Sequence, residues 1–193
     1  MNEKVIAVSS RSNEQIRLES ERVLRNLMPK ALEKPIRFPI AEILEFKLKK
    51  EYGFDLAVEE LPEGVEGYTE MKGRLLVLSE STYCDNDDPR NRFTQAHEFG
   101  HVVLHSREIT HRLTENLNAI KTYRKDIPPY KDPECQANTF ASCILMPEKP
   151  FLDLMIENCS TNDIAAIFGV SYTAAKIRRE KLEDKFYKKF RPH

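Results

Sequence analysis

The stretch RFTQAHEFGHVVLH, Arg92 to His105, sets His97, Glu98, His101 and His105 among Phe93, Ala96, Phe99, Val102, Val103 and Leu104. A helix drawn through these residues carries apolar side chains round most of its circumference, so it reads as buried and its ionisable groups as needing partners. The chain has five histidines, and three of them fall where a core belongs.

His97 and His101 are related as i and i+4, which puts both imidazoles on one face a single turn apart. That spacing suits two ligands on one zinc ion. Glu98 lies about 100° further round the helix, where its carboxylate reaches an attacking water rather than the ion, the position of a general base. His105 sits two turns from His97, about 12 Å along the axis. It cannot share the ion and reads as a supporting or packing residue. The long metzincin signature would need a glycine where Leu104 stands and a histidine where Arg107 stands, which excludes that class. Gly100 costs about 1 kcal/mol relative to alanine in mid-helix, so something is expected to approach the backbone closely there.

The third ligand must come from elsewhere. Asp132-Pro133 opens a second helix, PECQANTFASCILM, in the same way that Asp88-Pro89 opens the first: an N-cap acceptor followed by a proline whose missing N–H costs nothing. On that helix Glu134 shares a face with Ala137, Asn138, Ala141 and Leu145, where a lone carboxylate is costly without a cation. Asn138, one turn on, is placed to accept a hydrogen bond from the far nitrogen of a metal-bound histidine. A helix-start glutamate favoured by the dipole is the other reading of Glu134. Glu108 and Glu115 are further acids but lie in no such apolar pattern.

Outward from these two helices the chain reads as α+β. Ser12–Met28 has the spacing of one helix, limited by Pro29, and residues 41–53 form another that ends near Gly53. FDLAVEEL, VEGYTEM and RLLVLSE, separated by turn signals, predict a small antiparallel sheet with Lys72-Gly73 at a hairpin tip. The helix PECQANTFASCILM should stop before Pro147.

Thirty basic and thirty-one acidic residues give a net charge of −1, without the positive field of a dedicated nucleic-acid binder. No apolar run is long enough to cross a bilayer, and the start MNEKVIAVSSRSNEQ lacks a signal-peptide pattern, so the expected address is the cytoplasm. Cys84, Cys135, Cys143 and Cys159 form no CxxC pair and read as reduced thiols.

RFTQAHEFGHVVLH, ECQANTFASCILMP and IAAIFGVSYTAAKIRREKL together resemble the ImmA/IrrE family of zinc-dependent metallo-endopeptidases, over about residues 35 to 185. Phe99 departs from the leucine commoner in the family's HELGH. The resemblance implies a zincin-like core at 35–150 with the sheet packed on the HExxH helix, after a helical extension at 1–34. A C-terminal helical segment at 151–193 would pack on that core. It further implies one zinc bound by His97, His101 and Glu134, Glu98 as catalytic base, and a protein substrate, a helix-turn-helix repressor of the Xre type.

Tyr123, Tyr130, His111 and Arg112 are all candidates to steady the oxyanion, and the sequence does not choose among them. A peptide would lie extended along a sheet edge. Glu59, Glu60, Glu63, Glu66, Glu70, Asp85, Asp87 and Asp88 would either favour a basic partner or simply form a solvated face. TNDIAAIFGVSYTAAKIRREKL has the pattern of a helix-turn-helix with a basic second helix. One helix pair without a dimer or third helix reads first as packing on its own domain, and direct DNA binding comes second. The rival function is a non-proteolytic, zinc-containing regulatory or DNA-binding module.

Overall fold

The computed structural model describes residues 4–6, 8–114, 121–123 and 127–190, with side chains described at 8–112, 127–184 and 187. After a short strand β1 (Lys4–Ile6), helix α1 (Asn13–Leu27) starts at Ser12, whose hydroxyl accepts the Gln15 N–H while the Gln15 side chain accepts the Ser12 N–H. This reciprocal capping satisfies two otherwise orphaned donors. A 3₁₀ turn at Pro29–Leu32 leads to α2 (Ile40–Phe46), which runs on through a π turn and stops at Gly53, φ 72°. Only glycine takes that left-handed angle without strain.

Three strands follow, β2 (Asp55–Glu59), β3 (Gly67–Glu70) and β4 (Leu75–Ser79). The antiparallel sheet expected from the sequence is in fact mixed, because β4 lies between the other two, parallel to β2 and antiparallel to β3. LLVLS is a continuous apolar run with Leu76, Val77 and Leu78 buried, which is the signature of a strand covered on both faces rather than of an edge. The step from β2 to its parallel neighbour needs a long connection, and β3 with its hairpin supplies it. The hairpin tip at Lys72-Gly73 lies where the turn chemistry put it.

A short helix α3 (Glu80–Cys84) then leads into α4 (Pro89–Thr114), the histidine helix. It continues ten residues past Leu104, where the dense apolar pattern of the sequence thins. Ile109 packs on the core, and Glu108 pairs with Arg112 at 2.6 Å one turn apart, with no glycine or proline to stop it. Strand β5 (Lys121–Tyr123) pairs antiparallel with β1. Helix α5 (Pro133–Leu145) begins at Asp132, whose carboxylate accepts the Glu134 N–H at 3.0 Å, and α6 (Glu148–Ile156), α7 (Thr161–Phe168) and α8 (Tyr172–Phe190) complete the chain.

One apolar core runs through α1, α2, β4, α4, α5, α6 and α7, built on Leu24, Phe38, Phe99, Phe140, Phe151 and Phe168. Arg92, 3% exposed, spans from α4 to the Gly169 carbonyl at 2.9 Å and the Phe38 carbonyl at 2.8 Å. Burial, then the nearby Arg37 charge, brings its pKa down to about 10. The pair α7–α8 turns at Gly169, φ 64°. Arg178 donates to the Met146 carbonyl at the end of α5, and Arg179 to the Cys159 carbonyl. Two of the basic residues that suggested a nucleic-acid face are thus turned inward. The four cysteines are free thiols.

Candidate metal centre

Helices α4 and α5 pack so closely that Gly100 is needed between them. A Cβ there would lie 3.1 Å from Phe140 Cδ1 and 3.3 Å from both Cα and O of Ala137. The backbone approach anticipated at Gly100 is that of α5. This contact brings the first turn of α5 over the His97–His101 face of α4.

The result is a convergence of three side-chain tips. His97 Nε2 and His101 Nε2 are 3.0 Å apart, and Glu134 places one carboxylate oxygen 3.2 Å from the first and the other 3.3 Å from the second. Ligands held at about 2.0–2.1 Å in a tetrahedral array lie about 3.3 Å from one another, so the three tips match one face of such a polyhedron. Among the described residues these are the ones grouped as a metal could use them.

The outer nitrogens account for the inner ones. His97 Nδ1 lies 3.0 Å from Asn138 Oδ1, an oxygen that can only accept, so the ring proton sits on Nδ1 and Nε2 offers a lone pair. His101 Nδ1 lies 3.2 Å from His105 Nδ1. Two nitrogen lone pairs facing each other beside a carboxylate repel unless a proton or a metal cation lies among them, and the donor set fits a divalent ion.

The titration behaviour has the same cause. When either ring is protonated at Nε2 it donates to Glu134, and these bonds, from His101 first and then His97, hold the Glu134 carboxyl far below the usual carboxylate range, against the effect of burial. Burial pulls His97 down, but the bond to Glu134, with the charges of Glu98 and Glu134 and the contact with Asn138, raises it on balance. For His105 burial wins, helped by the charge of His101, and its pKa falls to about 3.

Glu98 is 6% exposed. Its Oε2 accepts a hydrogen bond from Thr69 Oγ1 at 2.7 Å, and that hydroxyl also lies 3.2 Å from the Glu98 carbonyl oxygen. Gly67, two residues earlier on β3, passes over the same side chain: a Cβ there would meet Glu98 Cγ at 3.3 Å and the Val77 carbonyl oxygen at 3.0 Å. Neither Thr69 nor Gly67 stood out in the sequence, because each meets Glu98 only through a strand-to-helix contact about thirty residues long in sequence.

The peptidase M78 family model, described as the IrrE N-terminal-like domain, matches residues 66–180, from β3 into the first half of α8 and more than half of the chain. The chain belongs to this family. The family's name implies a metallopeptidase, and with it a divalent metal. A solved Mycobacterium tuberculosis transcriptional regulator is similar with a TM-score of 0.60 and 14% identity, over 86% of this chain and 46% of that one. The likeness is one of fold, and this IrrE-like chain spans less than half the length of that regulator. No curated protein matches.

The remaining sequence candidates lie apart from the three tips or outside the described residues. Tyr130 is 53% exposed and sits beside Arg11, Ser12 and Ile16. His111 is ten residues beyond His101 on the same helix, about 15 Å along it. Arg112 is held by Glu108, which also accepts the Ser9 N–H at 2.8 Å. Glu115 and the side chain of Tyr123 fall outside the described residues.

Of the acidic residues, Glu66, Asp85 and Asp88 edge a cleft of about 1150 Å³ that begins at Asn138. Asp87 pairs with Arg37 at 2.9 Å. Thr173, Ala174 and Ile177 of α8 form part of the same cleft wall.

Proposed function

We propose that this chain is a zinc-dependent endopeptidase that cuts a protein substrate, with a helix-turn-helix repressor of the Xre type as the target class. The observation that carries the reading is the meeting of His97, His101 and Glu134 at 3.0–3.3 Å beside a buried Glu98. Two imidazoles and a carboxylate favour zinc. Bound there, zinc supplies Lewis acidity: it lowers the pKa of an incoming water and polarises the scissile carbonyl. Glu98 takes the proton of that water and hands it to the departing amine. Thr69 holds the carboxylate in one orientation while it does so, and Asn138 keeps the His97 lone pair aimed inward.

Strand β3 is an edge of the sheet and lies against Glu98, so an extended peptide can add to it through main-chain hydrogen bonds. The cleft beside it is large enough for several substrate side chains. Its carboxylates Glu66, Asp85 and Asp88 favour a basic segment, as a DNA-binding protein would present. A structural neighbour described as a transcriptional regulator supports a setting in transcription control.

In the same reading residues 35–150 are the zincin-like core, 1–34 a helical extension and 151–193 a segment packed on the core. The expected address is the cytoplasm. Among the described residues no helix is long and apolar enough to cross a membrane. Direct DNA binding through α8 is second, because Arg178 and Arg179 are spent on internal carbonyls and Thr173, Ala174 and Ile177 face the cleft.

The test is incubation of the zinc-loaded protein with purified Xre-type repressors and mass spectrometry of the products. Internal fragments from the parent and none from Glu98→Gln, with zinc retained in both, are expected. A Glu98→Gln protein that keeps full biological activity would instead favour the non-proteolytic regulatory module.

A further inference from the structure

His101 can serve as a metal ligand through Nε2 only if its other nitrogen carries the proton, and the structure shows what enforces this. His101 Nδ1 lies 3.2 Å from His105 Nδ1, and His105 Nε2 lies 3.2 Å from Gln136 Oε1. Gln136 Nε2 in turn donates to two main-chain carbonyls, Ser9 at 3.0 Å and Tyr130 at 2.8 Å. His105 and Gln136 are 0% and 1% exposed, so water does not replace any of these partners.

The proton positions follow link by link. Carbonyl oxygens only accept, so both amide hydrogens of Gln136 point at Ser9 and Tyr130, and Oε1 must face His105. The Gln136 oxygen therefore takes the proton of His105 Nε2. That leaves His105 Nδ1 as an acceptor, and the only proton available to it is the one on His101 Nδ1. His101 Nε2 is then a lone pair directed at His97 and Glu134. Every donor along the relay has an acceptor, and among the neutral tautomers of His101 and His105 no other assignment keeps it so.

We infer that His105 and Gln136 are positioning residues that set the metal-competent tautomer of His101, and that they couple the metal centre to the N-terminal segment at residues 8–11. This rests on the proposal that His101 is a metal ligand. The segment is strapped in place: the Val8 N–H donates to the Lys131 carbonyl at 3.1 Å, and the Arg11 N–H to Tyr130 at 3.0 Å. Arg11 adds two side-chain bonds, to Gln136 Oε1 at 3.2 Å and to the Leu104 carbonyl at 2.8 Å. Residues 8–11 precede the matched family region at 66–180, yet they hold the far end of the chain that aims one of its ligands. The relay is thus anchored both inside that region, at Tyr130, and outside it, at Ser9.

The experiment measures zinc dissociation constants by chelator competition on full-length protein, with thermal unfolding of the metal-free forms alongside. His105→Leu and Gln136→Leu each remove a link, and both are expected to weaken zinc by about ten- to a hundredfold. His105→Gln offers an acceptor and a donor at about the separation of the two imidazole nitrogens, and it is expected to restore binding to within about threefold of the parent. Folded His105→Leu and Gln136→Leu proteins that bind zinc like the parent would overturn the inference, as would a folded His105→Gln as weak as His105→Leu. If one leucine variant fails to fold, the other and His105→Gln decide the matter. A parent protein that does not bind zinc would refute the metal reading itself, which is a different result from tight binding indifferent to His105.

Discussion

Thr69 Oγ1 lies 2.7 Å from Glu98 Oε2, so a strand-edge hydroxyl holds the one buried carboxylate of α4 that is not among the three converging tips. The hydrogen bond joins the sheet to the histidine helix at the carboxylate to which the proposed mechanism gives the proton transfer. It has a direct consequence for turnover. Thr69→Val keeps the shape but removes the donor to a charged group, an interaction worth about 1.5–3 kcal/mol, so kcat should fall by about ten- to a hundredfold. Zinc content should not change, and Thr69→Ser should recover most of the rate. Equal rates in Thr69→Val and the parent would show that Glu98 needs no such restraint.

Gly100 supplies the second prediction. Alanine there gains about 1 kcal/mol of helix propensity, but its methyl group would sit 3.1 Å from Phe140 and 3.3 Å from the Ala137 backbone. Overpacking of a core contact costs about 1–3 kcal/mol, so Gly100→Ala is expected to lower the melting temperature modestly. Because α4 and α5 must separate to admit the methyl group, zinc affinity should fall further than stability. A variant more stable than the parent with unchanged zinc affinity would mean that the helices have slack at this point.

Arg92 supplies the third. It ties α4 to Gly169 and Phe38 through two main-chain carbonyls, and Arg92→Met leaves both without that donor. The Phe38 carbonyl keeps the Ile40 N–H at 2.9 Å, so the cost falls on the Gly169 carbonyl, about 1–3 kcal/mol for one buried group that loses its donor. A loss of about 1–3 kcal/mol in chemical denaturation is expected, with the loosening greatest in α7 and α8 by hydrogen exchange. A loss under about 1 kcal/mol would show that the C-terminal helices are held by their apolar contacts alone.

Acid should weaken metal binding with a definite sign. In the metal-free protein the His97 pKa is raised above 6.5 and that of Glu134 is lowered, so of these two groups His97 gains its proton first on acidification. Zinc affinity should be flat above the raised His97 pKa and fall below it by about tenfold per pH unit for one displaced proton. Calorimetry in buffers across pH 5 to 9 checks this. An affinity constant down to pH 5 would remove His97 from the ligand set.

Much of this site is local in sequence, and that is why it could be read there. The i, i+4 histidines, the two Asp-Pro starts and the carboxylate on an apolar face all follow from helical periodicity within a few residues. Asn138 stands at 3.0 Å from His97, as its place one turn after Glu134 suggested. The sheet order was not readable, because strand pairing is a choice among distant partners, and the apolar run LLVLS signals burial without naming its neighbours. Thr69 was hidden for the same reason. Helices α3 and α6 were missed because each is short, and the N-cap of α6 is Pro147, which reads as the stop of α5. The end of α4 was not readable, because the apolar pattern thins after Leu104 while Ile109 and the Glu108–Arg112 pair carry the helix on.

The most direct test of the account is anomalous diffraction at the zinc edge from a crystal of the zinc-loaded protein. One peak per chain is expected, about 2.0–2.2 Å from His97 Nε2, His101 Nε2 and a Glu134 oxygen, with Glu98 near the ion but not bound to it. A fully loaded crystal with its zinc elsewhere, or with Glu98 replacing Glu134 among the ligands, would contradict it.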